Sequence, residues 1–229
     1  MRILSLATAG LCALPLVSAL AQSCNSDHAS RPAALFERFI SADCQDCWSD
    51  ARTPGPGPSA LVLDWIVPAP SGDAAPLAAA ASTDALARLQ ELTRTAPAGT
   101  DVYTDPLIAT PGQLRVALGP AVNDYVGGTM RFTPPPGARA PLRFWLVLVE
   151  QLPAGAEGSP VARHLARNAF HGEWTGGTLA ELRPMRIPDN TRVERLSLVG
   201  WVQDAAGRTV AAAQALCAAP HKPLWRMPP

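Results

Sequence analysis

Apolar and polar positions alternate along this chain in short runs rather than long ones. Residues 33–40 (A-A-L-F-E-R-F-I) and 60–67 (A-L-V-L-D-W-I-V) read as strands. The second is almost continuously apolar, the pattern of a strand buried on both faces. Residues 74–94 are rich in alanine and leucine, with Leu86 and Leu89 at helical spacing and Ser82 or Thr83 placed to cap, and they predict a helix. From Leu114 onward the pattern changes to short strands between turn signals, at 114–118, 126–133, 142–150, 182–187, 193–203 and 209–217. The last two form a hairpin across 204–208, where Gly207 accepts a positive φ. Residues 160–170 have helical composition but little length, and 48–53 allow about one and a half helical turns before the Pro54–Pro58 breaker.

This order of elements predicts two units: an α/β unit over 22–110 and a β-rich, sandwich-like unit over 111–229, with the join between Ala109 and Gly119. Residues 1–21 are read differently. One early charge, Arg2, precedes an apolar run from Ile3 to Leu20, and Ala19-Leu20-Ala21 supplies a small-x-small cleavage site. That is the form of a secretory signal peptide, with a membrane anchor as the alternative. The later run at 144–149 is too short to span a bilayer and fits a buried strand. A periplasmic or secreted protein without a stable membrane span is therefore expected once the signal is removed.

Charge narrows the function further. Nineteen basic side chains balance nineteen acidic ones, Lys222 is the sole lysine, and the arginines are scattered. Nucleic-acid binding is excluded as an expectation, because it needs basic groups gathered over phosphates. The 24 prolines and 17 glycines predict many turns without wholesale disorder.

Cleavage after Ala21 would remove Cys12 and leave Cys24, Cys44, Cys47 and Cys217. In an oxidising compartment disulfides are the default, and four cysteines permit three pairings. The favoured one joins Cys44 to Cys47, and Cys24 to Cys217 as a structural bridge between the mature N-terminus and the last strand. A C-x-x-C pair at the end of a strand can exchange disulfides, form a static ring, or supply half of a zinc site. Zinc is disfavoured because His28, His164, His171 and His221 are scattered. In exchange, Cys44 would attack and Cys47 would resolve the mixed disulfide. Asp43, Asp46 and Asp50 place negative charge beside the pair, which disfavours a thiolate and leans any exchange toward the reducing side. Glu37 stands seven residues upstream in the same strand, either as a buried proton acceptor or as the partner of an arginine. There is no G-x-S-x-G and no H-E-x-x-H, and no dissociable cofactor is called for. Trp145, Trp174 and Trp201 read as core, and Asp64-Trp65 on the second strand either lines a site near the cysteines or ends a buried strand.

The run Glu37-Arg38-Phe39-Ile40-Ser41-Ala42-Asp43-Cys44-Gln45-Asp46-Cys47 resembles the opening of an uncharacterised bacterial secreted family, domain of unknown function 1223. The glutamate, phenylalanine, serine and both cysteines fall in register with E-L-F-T-S-Q-G-C-S-S-C. Val102-Tyr103-Thr104 is similar to that family's V-Y-T-P loop, with Pro106 one residue later than the family's proline. Arg163-His164-Leu165-Ala166-Arg167-Asn168, then Trp174 and Gly176, resemble its R-x-L-x-x-N and W-x-G segments, and 200–213 its closing strands. The resemblance implies a thioredoxin-like N-terminal unit, in which Pro106 faces Cys44 and Cys47. This chain departs from the pattern where Trp48-Ser49-Asp50 runs into a Pro-Gly breaker instead of a full helix, and the span after Pro106 is short for a complete thioredoxin-like unit. The resulting expectation is thiol-disulfide exchange with another envelope protein; the alternative is a non-enzymatic envelope module braced by two disulfides.

Overall fold

A computed structural model describes residues 24–108 and 112–217. The export signal read over 1–21, the join at 110–111, and His221 and Lys222 lie outside the described residues. The strand-forming runs supply β1 (Cys24–Asn25), β2 (Ala34–Ser41), β3 (Ala60–Val67), β4 (Thr100–Pro106), β5 (Gln113–Val122), β6 (Tyr125–Thr133), β7 (Leu142–Leu152), β8 (Arg163–Trp174), β9 (Leu179–Arg186), β10 (Leu196–Gln203) and β11 (Thr209–Cys217). Two α-helices accompany them, α1 (Gln45–Ser49) and α2 (Thr83–Glu91). The eleven strands hydrogen-bond in the order β4-β2-β3-β8-β7-β10-β11-β1-β5-β6-β9. β2 and β3 are parallel along their length, β8 meets β3 in parallel at Asp64 opposite Leu165, and the remaining strand pairs are antiparallel.

The expected fold class, an α/β thioredoxin-like unit followed by a β-sandwich-like unit, is corrected by this sheet. The molecule is mostly β, and one mixed sheet runs through both segments. The misleading stretch is 160–170. Its alanines, leucine and arginines suit a helix, yet most of it lies in β8, which inserts between β3 and β7 and pairs with β7 from Leu142–Trp174 to Leu152–Arg163. Intrinsic propensity is a weak preference, and a neighbour on each side supplies ladder hydrogen bonds that override it. The helix expected over 74–94 shortens for a local reason. Two 3₁₀ turns occupy Gly72–Ala74 and Ala78–Ala80 around Pro76, and Ser82 then caps α2 by accepting the Asp84 N–H.

The period-2 alternation of the central strands divides the core. Trp65, Trp145, Val147, Val199 and Trp201 face α2 and bury its Ala85 and Leu89. On the opposite face, Phe144, Leu146, Leu148 and Leu198 are covered by Val116, Met130 and Met185 from β5, β6 and β9. The approach is close at Gly200, where a Cβ would fall 2.8 Å from a Val116 methyl carbon. Next to that layer, Ile40, Ala42, Trp48, Ile66 and Leu165 form a smaller cluster beneath α1, and it is this cluster that supports the cysteine pair.

Candidate functional site

β2 hands the chain to the cysteines over a firmly tied strand end. The Ser41 N–H donates to Gly99 O at 2.9 Å, and the Ala42 N–H to Val67 O at 2.8 Å. Ala42 O in turn accepts from the Leu77 N–H at 3.1 Å. The backbone then leaves the sheet, and Cys44 becomes the N-cap of α1, its Sγ accepting the Cys47 N–H at 3.3 Å. Cys44 and Cys47 are joined by a disulfide, and both are half-buried. Cys47 packs against the apolar cluster beneath the helix and lies 3.5 Å from where a Cβ on Gly99 would stand. Cys44 belongs to no apolar cluster, which makes its sulfur the outward member of the pair.

α1 is only five residues long, so packing holds it rather than helical cooperativity. Trp48 is buried, and its indole N–H donates to Glu157 O at 2.7 Å. Arg163, fully buried at the start of β8, donates from Nη2 to Trp48 O at 2.7 Å and to Cys47 O at 3.4 Å. Its guanidinium lies 4.9 Å from the centre of a Trp48 ring. These contacts fix the cysteine-bearing turn without calling on the sulfur–sulfur bond.

Asp64, buried in the middle of β3, organises the charges underneath. Arg38 grips it with Nε at 2.6 Å and Nη2 at 3.2 Å, Arg163 Nη1 lies at 3.5 Å, and the His164 backbone N–H donates at 2.7 Å. Arg38 also donates to Pro54 O at 3.0 Å, and Arg163 Nε to Ser159 Oγ at 2.8 Å. Burial lowers the Arg163 pKa below the usual guanidinium value, with Asp64 opposing and Arg38 adding to the effect. Burial likewise lowers the pKa of His164, against the pull of Asp64, and its Nδ1 has no hydrogen-bond partner among the described residues.

The other expected site residues sit elsewhere. Glu37 is fully buried on the α2 face, paired with Arg88 at 2.7 Å and accepting from the Trp65 indole at 3.0 Å. Of its two readings, the partner of an arginine is the one its contacts describe. Burial alone would lower the pKa of Arg88, but Glu37 outweighs it and the net direction is up. Pro106 lies opposite Ala34 in the β4–β2 pairing, at the far end of β2 from the cysteines. β4 runs antiparallel to β2, so it is Gly99, just before β4, that comes beside Cys47. Cys24 and Cys217 are disulfide-bonded and face one another in the β1–β11 register. Among the described residues no three His, Cys, Asp or Glu gather as metal ligands.

Sequence reasoning passed over Gly99, Trp48 and Arg163 as parts of the site. Arg163 carried a signal, since it opens a segment of recognisable pattern, but that pattern does not say what the guanidinium touches. Beside Trp48 a cleft of about 400 Å³ opens over Ile66, Leu77, Ala80 and Leu165, with Arg167 and Arg192 at its edge. No helix among the described residues is long and apolar enough to cross a membrane.

No protein-family description matches the chain, and no curated protein matches it. Among solved structures, HBP35 of Porphyromonas gingivalis is similar over 80% of this chain and 74% of its own, at 10% sequence identity and a TM-score of 0.48.

Proposed function

We propose that the Cys44–Cys47 disulfide exchanges with the thiols of a partner protein. The observation that carries this reading is a half-exposed disulfide on a turn that is anchored independently of it by Trp48 and Arg163. A bond that must open and close needs a scaffold that stays put when it opens. In the exchange, a partner thiolate attacks Cys44 Sγ, the sulfur–sulfur bond breaks, and Cys47 leaves with the bonding electrons and takes up a proton. A second partner thiol then displaces Cys44 from the mixed disulfide, so the partner dithiol is oxidised and the pair reduced. The Cys47 N–H already points at Cys44 Sγ and stabilises charge that forms there.

A purely bracing role is the weaker alternative on energetic grounds. In the chain-entropy model a ring closed across three residues stabilises by about 2 kcal/mol, whereas the loop closed by Cys24 and Cys217 stabilises by about 5 kcal/mol. The brace of this fold is the long-range bridge, which leaves the short one free for chemistry. Kinship with domain of unknown function 1223 is proposed on Glu37, Phe39, Ser41, Cys44 and Cys47.

The test is a Cys47→Ser variant expressed with its natural complement of envelope proteins. Its lone Cys44 thiol attacks a partner disulfide in the reverse of this exchange, and with Cys47 absent the mixed disulfide through Cys44 is expected to accumulate; native protein in dithiothreitol is expected to lose the Cys44–Cys47 bond well before the Cys24–Cys217 bond. Absence of any trapped partner, or a native Cys44–Cys47 bond that resists dithiothreitol, defeats the reading.

A further inference from the structure

We infer that Arg163 sets the reduction potential of the Cys44–Cys47 couple, acting as a positioning residue whose buried positive charge favours the reduced pair. The inference rests on the redox reading above. Its starting point is a charge count. Arg38 and Arg163 share one carboxylate, Asp64, and neither has another carboxylate within ion-pair distance among the described residues. Two positive charges and one negative leave a net positive charge within the buried cluster, opposed only from beyond ion-pair distance by Asp50 among the described residues. Arg163 brings its share of that excess to the cysteine-bearing turn, because its Nη2 bonds the backbone carbonyls of Cys47 and Trp48. The same contacts place the charge at the C-terminal end of α1, where a cation is favoured.

Reduction delivers electrons to the neighbourhood of this charge. Two electrons and one proton convert the disulfide to one thiol and one thiolate; with glutathione as reductant, two glutathione thiols supply the electrons and become a disulfide. A fixed positive charge in a poorly solvated setting stabilises the thiolate product and leaves the neutral disulfide unaffected, so it raises the potential. This opposes the exposed carboxylates of Asp43 and Asp46, which solvent screens far more effectively. His164 and Asp50 also face the cluster and are left unchanged in the test.

The experiment equilibrates purified protein with glutathione redox buffers at constant pH and quantifies the Cys44–Cys47 dithiol by alkylation. Arg163→Gln removes the charge and is expected to shift the equilibrium about tenfold toward the disulfide, about 30 mV more reducing. Arg163→Lys keeps the charge without the two-carbonyl fork and is expected to stay within about twofold of the parent. Asp64→Asn adds a net positive charge to the cluster and is expected to shift the equilibrium the opposite way, toward the dithiol. A loosened turn would move Arg163→Lys as far as Arg163→Gln, or move Asp64→Asn in the same direction as Arg163→Gln, and either result overturns the inference. Should the signs hold while Cys47→Ser traps nothing, the inference stands and the partner-exchange reading falls.

Discussion

At the scale of single residues, the proposed exchange draws attention to the side chain missing at position 99. Gly99 leaves one side of Cys47 Sγ uncovered, and a Cβ there would make only ordinary contact at 3.5 Å. A branched side chain would extend past that point and crowd Cys47 Sγ, the group that leaves when a thiolate attacks Cys44. Gly99→Val is therefore expected to slow dithiothreitol reduction of the Cys44–Cys47 bond about tenfold, while Gly99→Ala stays near the parent rate. Neither change fills a packed core, so stability should hold within about 0.5 kcal/mol in urea titrations. Equal reduction rates for all three proteins would show that room around the departing Cys47 sulfur does not limit the exchange. Cys44 and Cys47 were visible in the sequence because a C-x-x-C spacing at a strand end carries its own chemistry. Gly99 was not, since its role comes from a hydrogen bond to Ser41, far away in sequence. Pro106 misled for a related reason: the antiparallel register of β4 on β2, which a single sequence does not display, sends it to the wrong end.

At the scale of elements, β1 is two residues long and yet joins β11 to β5. So short a strand cannot hold a seam by its own ladder, and the Cys24–Cys217 bond stands at that seam with Cys24 buried in the adjoining core. Replacing both cysteines with serine is expected to cost about 5 kcal/mol if the chain-entropy model holds in full, and less where the unfolded chain is already compact. Urea unfolding of the double variant measures this, and the Cys44–Cys47 couple should keep its potential because α1 is anchored elsewhere. An unchanged urea midpoint would remove the Cys24–Cys217 bond from the role of principal brace. Strand runs such as 60–67 and 209–217 were legible because burial forces their apolar pattern. β8 was not, because Arg163, Arg167 and Asn168 satisfy buried or edge partners and, with His164 beside them, interrupt the alternation that marks a strand.

At the scale of the whole molecule, β8 places the cysteine-bearing strands and the C-terminal strands in one hydrogen-bonded sheet, and a buried polar network reinforces the join. Arg88 on α2 pairs with Glu37 on β2, donates to Gln203 on β10 at 2.8 Å, and lies against Trp145 and Trp201. Gln203 and Thr209 in turn reach Asp105 on β4, which links one edge of the sheet to its centre. The tie runs from β4 to β11, and the packing of β5, β6 and β9 over the central strands carries it on, so neither part is expected to melt alone. Unfolding followed by tryptophan fluorescence and by far-ultraviolet circular dichroism is therefore expected to give coincident single transitions. Arg88→Met should lower both midpoints together, a loss of about 3–5 kcal/mol in stability, because it strands the Glu37 carboxylate without its counter-charge. Adding Glu37→Leu to that variant should restore much of the loss, since an apolar pair of similar size needs no compensation. Transitions that separate by probe, or a loss confined to one of them, would divide the sheet into independently stable parts and leave the redox turn coupled only to its immediate neighbours.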